Sequence, residues 1–160
     1  MIFVTLGTND KSFARLLQAV EDCVHKGIIQ EKVVVQAGYT KYTSDCMEIF
    51  DYIERDHFAS LIKEADLVIA HGGAGSLMTA LKEHKKVLGA ARLERYGEHV
   101  NDHQVQLLEA FDEKGYILYV KDLEQLPEYI QKAGSFTPAE FVSNREHMVS
   151  LIRNWIETNV

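Results

Sequence analysis

The sequence predicts an α/β fold built on an open, mainly parallel sheet with helices on both faces. Short apolar runs rich in Val and Ile alternate along the chain with segments whose apolar residues recur every three or four positions. This alternation is typical of stacked βαβ units. The 160 residues, 46% of them hydrophobic, are enough for one compact domain with its own core. We therefore expect one domain without internal repeats.

Six strands are expected, and most of them should be buried because they are almost entirely apolar. They cover residues 2–6, 32–37, 47–50, 66–70, 86–90 and 116–120. Helical periodicity with one buried stripe marks the segments 12–26, 57–65, 74–84 and 102–114 between them. Asp122, with a Gln three residues later, predicts a brief helix after the last strand.

A separate C-terminal helix is predicted over residues 137–158, after a domain that covers residues 1–132. Thr137, Pro138 and Glu140 would supply its cap, its first-turn proline and its capping-box partner. Its apolar face would pack either on the sheet or on a partner chain, and the sequence leaves both possibilities open. The side chains of that face are Phe141, Met148, Leu151, Ile152, Trp155 and Ile156.

Charge and composition exclude several classes of function. The net charge of -7 argues against a nucleic-acid binder, which normally carries a basic face. No apolar stretch is long enough to span a bilayer. The first ten residues lack the basic region of a secretory signal, so we expect a cytoplasmic protein. Cys23 and Cys46 match no metal or redox spacing, and we expect both to be free thiols.

The segment "HGGAGS", residues 71–76, lies where a predicted strand becomes a helix. Glycines there would let the main chain approach an anion closely, and the N–H groups and dipole of the helix start favour negative charge. Ser76 would add a hydroxyl donor. The alternative is a tight connection whose glycines serve only the backbone turn. The glycines alone do not distinguish these two interpretations.

Two further loops should lie near this turn. Gly7, Thr8 and Asn9 follow the first strand, and the polar segment 92–104 follows the strand after the glycine turn. Ligands collect at the carboxyl edge of open α/β sheets, so we expect loops 7–10, 71–76 and 92–104 to meet at one crevice. The turn matches neither the P-loop pattern nor a dinucleotide-binding fingerprint after the first strand, which disfavours P-loop NTPases and NAD enzymes.

Three motifs together resemble the C-terminal, donor-binding domain of family 28 glycosyltransferases. They are "FVTLGT" near the N-terminus, "HGGAGS" in the middle and "GEHVNDHQ" after the next strand, in that order. More narrowly, the chain is similar to the small catalytic subunit of two-subunit glycosyltransferases. One such class makes bacterial exopolysaccharide and capsule, and another is the eukaryotic dolichol-linked N-acetylglucosaminyltransferase. The bacterial class is the better match, and the resemblance covers residues 1 to about 130.

The resemblance implies a Rossmann-like domain that is one half of a GT-B glycosyltransferase and binds a UDP-sugar as substrate, without a cofactor or a metal. The diphosphate would lie on residues 71–76, the base near residues 52–53, and the donor-sugar hydroxyls near Gln104. The donor-binding residues implied are Gly7, Thr8, Asn9, Tyr52, Ile53, Gly72, Gly73, Ala74, Gly75, Ser76, Thr79, Glu98, Asp102, His103 and Gln104.

One position departs from the family pattern. Relatives place a ribose-binding glutamate where this chain has Thr79, and the nearest carboxylate in the following helix is Glu83. Either Thr79 substitutes weakly for it, or Glu98 or a partner shares the contact. His71 and His99 are candidate catalytic bases because imidazole can titrate near neutral pH, although a structural or donor-contact role is the alternative for each.

A complete GT-B enzyme has two such domains, so the resemblance implies a partner that supplies the second. That partner would be a membrane-anchored subunit binding a lipid-linked saccharide acceptor, which would place this chain peripherally on the cytoplasmic face of the membrane. The expected reaction is an inverting transfer from a UDP-sugar, with galactose, glucuronate, glucose or N-acetylglucosamine as the sugar. The alternatives are a non-catalytic nucleotide-sugar-binding or scaffold subunit, and a free-standing hydrolase or epimerase of nucleotide sugars.

Overall fold

A computed structural model describes residues 1–142 and confirms the predicted α/β architecture. Six parallel strands form one sheet in the order β3-β2-β1-β4-β5-β6, which is the strand order of the Rossmann fold. The strands are β1 (Ile2–Thr5), β2 (Val33–Gln36), β3 (Glu48–Phe50), β4 (Leu67–His71), β5 (Lys86–Ala90) and β6 (Leu118–Tyr119). All six predicted strands are present, and the last is shorter than expected.

Within residues 1–142, four α-helices lie between strands and a fifth follows β6, and together they cover both faces of the sheet. They are α1 (Ala14–His25), α2 (Arg55–Glu64), α3 (Ala74–Lys82), α4 (His103–Glu113) and α5 (Leu126–Ser135). Apolar residues of α1 and α5 join one buried cluster against the sheet, while those of α2, α3 and α4 join a second. The strands are buried between these two layers, as the apolar sequence predicts.

Two expectations near the C-terminus differ from the structure. Asp122 accepts a hydrogen bond from the Glu124 amide at 3.0 Å, but a short 3-10 turn intervenes and the helix that follows is a full ten residues. Residues 137–142 are not helical, so no helix begins at Thr137. The rest of the predicted helix over 137–158 lies outside the described residues.

The strand order places the carboxyl ends of β1, β2 and β4 side by side. In the register of the sheet, Thr5 lies beside Gln36 on one side and Ala70 on the other. Between β1 and β4 the chain changes the side of the sheet on which it adds strands, and ligands bind at such a switch point in open α/β sheets. No helix within residues 1–142 has the length and apolarity to cross a membrane. Cys23 and Cys46 are both free thiols.

Candidate functional site

A cavity of about 250 Å³ opens at this switch point. It is lined by the loop after β1, the end of β2, the start of α3 and one side chain of α2. The lining residues are Gly7, Thr8, Gln36, Phe58, His71, Gly73, Gly75 and Ser76. Larger cavities exist, including one at the opposite, amino edge of the sheet. We choose this cavity as the candidate site because it lies at the carboxyl ends of the strands, where ligands bind in open α/β sheets.

A second cavity of about 470 Å³ adjoins the first through Thr8, which lines both. Tyr39 and Tyr52 border it, with 64% and 69% of their surfaces exposed. Ile53, whose main chain is expected with that of Tyr52 to contact the base, has its side chain buried in the core. Any part that it has in binding a base must therefore come from its main chain.

The His71 ring fills the space between Gly7, in the loop after β1, and Gly73, in the glycine turn. Its Nδ1 lies 3.2 Å from the Thr5 carbonyl oxygen, and a hydrogen on Nδ1 would donate to that oxygen. A side chain added at Gly7 would come within 2.4 Å of the ring, and one at Gly73 within 2.1 Å. Gly7 also has a φ of +68°, which an L-residue rarely adopts. Both glycines are therefore required to accommodate the imidazole.

Burial lowers the pKa of His71 to about 4, against the smaller raising effect of the Thr5 hydrogen bond. The imidazole is consequently neutral at neutral pH. A general base works best when its pKa lies near the operating pH. The prediction that His71 titrates near neutral pH is wrong, because the ring is removed from water.

We expect His71 to make the fold less stable in acid. An exposed histidine in the unfolded chain has a pKa near 6.5 and His71 in the fold has one of about 4. Between these values the unfolded chain binds more protons, so stability present above pH 6.5 is lost as the pH falls. The full difference corresponds to about 3 kcal/mol.

Urea unfolding of the wild type and His71→Gln at several pH values between 7 and 4 measures this loss. The wild type should lose about 2–3 kcal/mol more than the variant over that range. NMR titration of the His71 ring in the folded protein gives its pKa directly. Equal pH dependence in both proteins, or a ring that titrates near 6.5, would contradict the expectation.

The glycine turn leads directly into α3, as the sequence predicts. The N-cap is Gly73, and no side chain caps the first amides of the helix. The first N–H groups of an α-helix have no partner within the helix. Those of Ala74, Gly75 and Ser76 are therefore available at the cavity, together with the Ser76 hydroxyl. An anion is the ligand that such a helix start favours.

The three glycines of the turn have different reasons to be glycine. At Gly72 a side chain would meet Gln104 at 2.5 Å, and at Gly73 it would meet His71 at 2.1 Å. At Gly75 it would meet nothing within 4 Å, and the residue is exposed. Close contacts within the fold therefore account for Gly72 and Gly73. No such contact within residues 1–142 accounts for Gly75, where close approach of a ligand is the remaining reason for a glycine.

The segment 92–104, the third predicted loop, is hydrogen-bonded within the fold and does not line the cavity with the other two loops. Gln104 is buried, and its Oε1 accepts a hydrogen bond from the Arg92 amide at 3.0 Å. Asp102 Oδ1 accepts from the Glu94 amide at 2.9 Å. The predicted convergence therefore holds for loops 7–10 and 71–76, while the donor contacts predicted for Gln104 and Asp102 stay predictions.

Glu98 is buried and fully engaged by the protein. Its two carboxylate oxygens each accept a hydrogen bond from Arg15 at 3.0 Å, and one of them also accepts from the Leu93 amide. These contacts anchor the loop after β5 to α1. They leave the carboxylate outside the cavity, so the geometry gives no support to a shared ribose contact by Glu98.

Of four other predicted residues, three have side chains bonded locally and one is exposed. Asn9 Oδ1 accepts from the Lys11 amide at 2.9 Å and shapes its own loop, and His99 Nδ1 accepts from the Asn101 amide at 3.3 Å. His103 is exposed at the start of α4. The Thr79 hydroxyl donates to the Gly75 carbonyl at 2.9 Å, and it is therefore bonded within α3.

Sequence reasoning missed Gln36 and Arg92. Gln36 is 4% exposed, lines the cavity, and its Oε1 has no hydrogen-bond partner among residues 1–142. A buried polar atom without a partner commonly awaits a water or a ligand. The sequence feature that could have identified it is a glutamine at the end of the apolar strand "VVVQ".

Arg92 is fully buried and holds the loop after β1 by donating hydrogen bonds to the Leu6 and Lys11 carbonyls.

This fold, with a cavity at its strand ends, is that of a Rossmann-like domain. Solved structures with this fold include a solution structure of ALG13 (TM-score 0.59, 17% identity, 94% of this chain and 93% of that one). They also include the kitacinnamycin glycotransferase (TM-score 0.63, 15% identity, 84% and 34%). A third is MurG from Acinetobacter baumannii (TM-score 0.57, 17% identity, 94% and 49%).

The chain belongs to the glycosyltransferase family 28 C-terminal domain family, whose profile matches residues 1–154. It is similar to the mouse UDP-N-acetylglucosamine transferase subunit ALG13, at 28% identity over 126 residues, or 73% of this chain and 10% of the relative. The human protein of that name is 27% identical over 127 residues, 74% of this chain and 11% of the relative. The chain thus spans about a tenth of these relatives.

Proposed function

We propose that this chain is the donor-binding catalytic subunit of an inverting glycosyltransferase. It would move a sugar from a UDP-sugar to a lipid-linked saccharide acceptor in polysaccharide biosynthesis. A membrane-anchored subunit would bind the acceptor and hold this chain on the cytoplasmic face of the membrane. The family and the fold support a glycosyltransferase, and the similar mouse and human proteins are named as transferase subunits.

The observation that carries this proposal is the uncapped start of α3 at the cavity. Donors fixed before the reaction stabilise charge that develops on a leaving diphosphate without needing to reorganise. The amides of residues 74–76 and the Ser76 hydroxyl would be those donors. The nucleoside would extend past Thr8 toward the second cavity, where Tyr39 and Tyr52 offer exposed aromatic surface for a base.

The residues that line the cavity support the proposed requirement for a partner. A transferase needs a base to deprotonate the acceptor hydroxyl. No carboxylate lines the cavity as residues 1–142 define it, and the pKa of His71, about 4, is too low. The base in the proposed reaction would therefore come from the acceptor-binding subunit.

A different observation favours a second candidate, a non-catalytic scaffold subunit that completes a partner enzyme: Thr79, at the position of the ribose-binding glutamate, bonds within α3. Ser76→Ala in a reconstituted pair of subunits discriminates between the two. Transfer should fall strongly if the donor reacts on this chain and should be unchanged if the chain is only a scaffold.

The direct test of donor binding is ligand-observed NMR of the purified chain with UDP, GDP, NAD and ATP, followed by a panel of UDP-sugars. We expect selective UDP signals, and Ser76→Ala should weaken UDP affinity by at least about tenfold, since a hydrogen bond to a charged group contributes about 1.5–3 kcal/mol. Ser60→Ala is the matched control, because Ser60 lies on α2 outside the cavity and its hydroxyl donates to Glu64. Equal binding of UDP by both variants would contradict the proposed diphosphate site.

A further inference from the structure

Four side chains with metal-ligating atoms converge beside α1, outside the donor cavity. Glu21 and His25 lie on α1, and Asp45 and Cys46 lie in the loop before β3. One ligand atom from each lies within 4.8 Å of the others. Cys46 precedes β3, so the cluster lies toward the amino end of that strand, whereas the donor cavity lies at the carboxyl ends of the strands.

The backbone brings these groups together in a way that suits one ion. Glu21 and His25 are four residues apart on a helix, a spacing that places side chains on the same face. His25 Nε2 lies 3.6 Å from Asp45 Oδ1, and Cys46 Sγ lies 4.0 Å from Glu21 Oε1. Ligand atoms of a tetrahedral zinc are about 3.3–3.8 Å apart, from its usual bond lengths. Small rotations of these side chains would close the remaining difference.

Neighbouring hydroxyl groups already orient the Glu21 carboxylate. The Tyr42 hydroxyl donates to Oε2 at 2.6 Å, and the Ser44 hydroxyl donates to Oε1 at 2.5 Å. Metal ligands are commonly oriented by such outer hydrogen bonds. Ser44 also accepts a hydrogen bond from the Cys46 amide at 3.2 Å.

We propose that Glu21, His25, Asp45 and Cys46 form a binding site for one Zn²⁺ or a similar borderline divalent cation. An imidazole nitrogen, a thiolate and two carboxylates suit zinc, whereas Ca²⁺ and Mg²⁺ prefer sites made of oxygen alone. Binding would release the thiol proton, because the thiolate is the ligand. The ion would cross-link the C-terminal half of α1 to residues 44–46. This proposal is independent of the proposed transferase activity.

Titration with Co²⁺ tests the site, because a Co²⁺ thiolate bond absorbs where other Co²⁺ ligands do not. We expect one equivalent to bind with thiolate absorption and Zn²⁺ to displace it. Cys46→Ser should abolish that absorption, and His25→Gln should weaken binding at least about tenfold. The matched controls are Cys23→Ala, which removes the other thiol, and His57→Gln, which removes an exposed histidine of α2. Both should bind as the wild type does.

Binding without thiolate absorption, or binding unchanged in Cys46→Ser and His25→Gln, would overturn the proposal. A second measurement tests the cross-link. Zn²⁺ should raise the melting temperature of the wild type and Cys23→Ala, since a ligand of the folded state stabilises it, and should leave Cys46→Ser unchanged. An equal Zn²⁺ effect on all three proteins would assign the ion to another part of the surface and would also overturn the proposal.

Discussion

Replacing Arg92 by Met should lower the free energy of unfolding by about 3 kcal/mol, because the fold depends on this guanidinium to satisfy buried carbonyls. Arg92 is fully buried. Its Nη2 donates to the Leu6 carbonyl at 2.7 Å, and its Nη1 donates to the Lys11 carbonyl at 2.6 Å. Methionine fills similar volume but leaves both acceptors without a partner. Denaturant unfolding of the two proteins measures the difference.

The same substitution should loosen the loop that borders the donor cavity. Leu6 and Lys11 bracket residues 7–10, and Arg92 is the side chain that holds both of their carbonyl groups. Hydrogen exchange of the amides in this loop should therefore accelerate, and exchange in β5 should change less. Such local opening is measurable separately from global stability.

Arg95→Met is the matched control for Arg92. Arg95 is exposed, and the contact described for its guanidinium is with the Tyr96 ring, at 4.8 Å. Exposed substitutions of this kind usually change stability by less than about 0.5 kcal/mol. A loss below about 1 kcal/mol in Arg92→Met, or equal losses in the two variants, would show that the buried guanidinium is not needed for this fold.

Alanine substitutions at Gly73 and Gly75 should separate stability from ligand binding within one turn. Gly73→Ala should cost about 1–3 kcal/mol of stability, because the new methyl group would meet the His71 ring at 2.1 Å in a packed site. Gly75→Ala should retain stability, or gain up to about 1 kcal/mol, since the position is helical and open. Denaturant unfolding measures both values.

UDP binding should respond to the substitution at Gly75, which should not lower stability. If a phosphate approaches the α3 amides, the methyl group of Gly75→Ala would occupy its space, and UDP affinity should fall at least about tenfold in a fully folded protein. Adding His71→Ala to Gly73→Ala should recover much of the lost stability, because it removes the clash. Unchanged UDP affinity in Gly75→Ala would contradict close phosphate approach at this glycine, and no recovery in the double variant would contradict the His71 explanation.

The sheet and the turn at its carboxyl edge were predictable because they depend on local pattern. Apolar runs of four to six residues between helical segments located all six strands. The glycines between β4 and α3 located the helix start that faces the cavity. The resemblance added the family, which the profile match confirms. None of these inferences needed knowledge of which distant residues touch.

The contacts that individual polar residues make within the fold could not be predicted. Gln104 and Glu98 were expected to contact the donor, which stays a prediction, and the structure adds that Gln104 bonds the Arg92 amide and Glu98 pairs with Arg15. A polar side chain near a strand end can serve a ligand or the fold, and the neighbouring sequence does not distinguish the two. Gln36 was missed for the converse reason, because a single glutamine after three valines resembles the polar end of a strand.

By itself, the sequence determined the α/β class, the strands, the helix start after the glycine turn and the acidic surface charge, because each follows from residue type and spacing along the chain. Only the tertiary structure decided that His71 is neutral and fills the space beside Gly7 and Gly73. It also decided that Arg92 holds the cavity loop, and that Cys46 lies beside Glu21, 25 residues away in sequence. Burial and contact between distant residues set pKa values and hydrogen-bond partners, and those distances exist only once the sheet has formed.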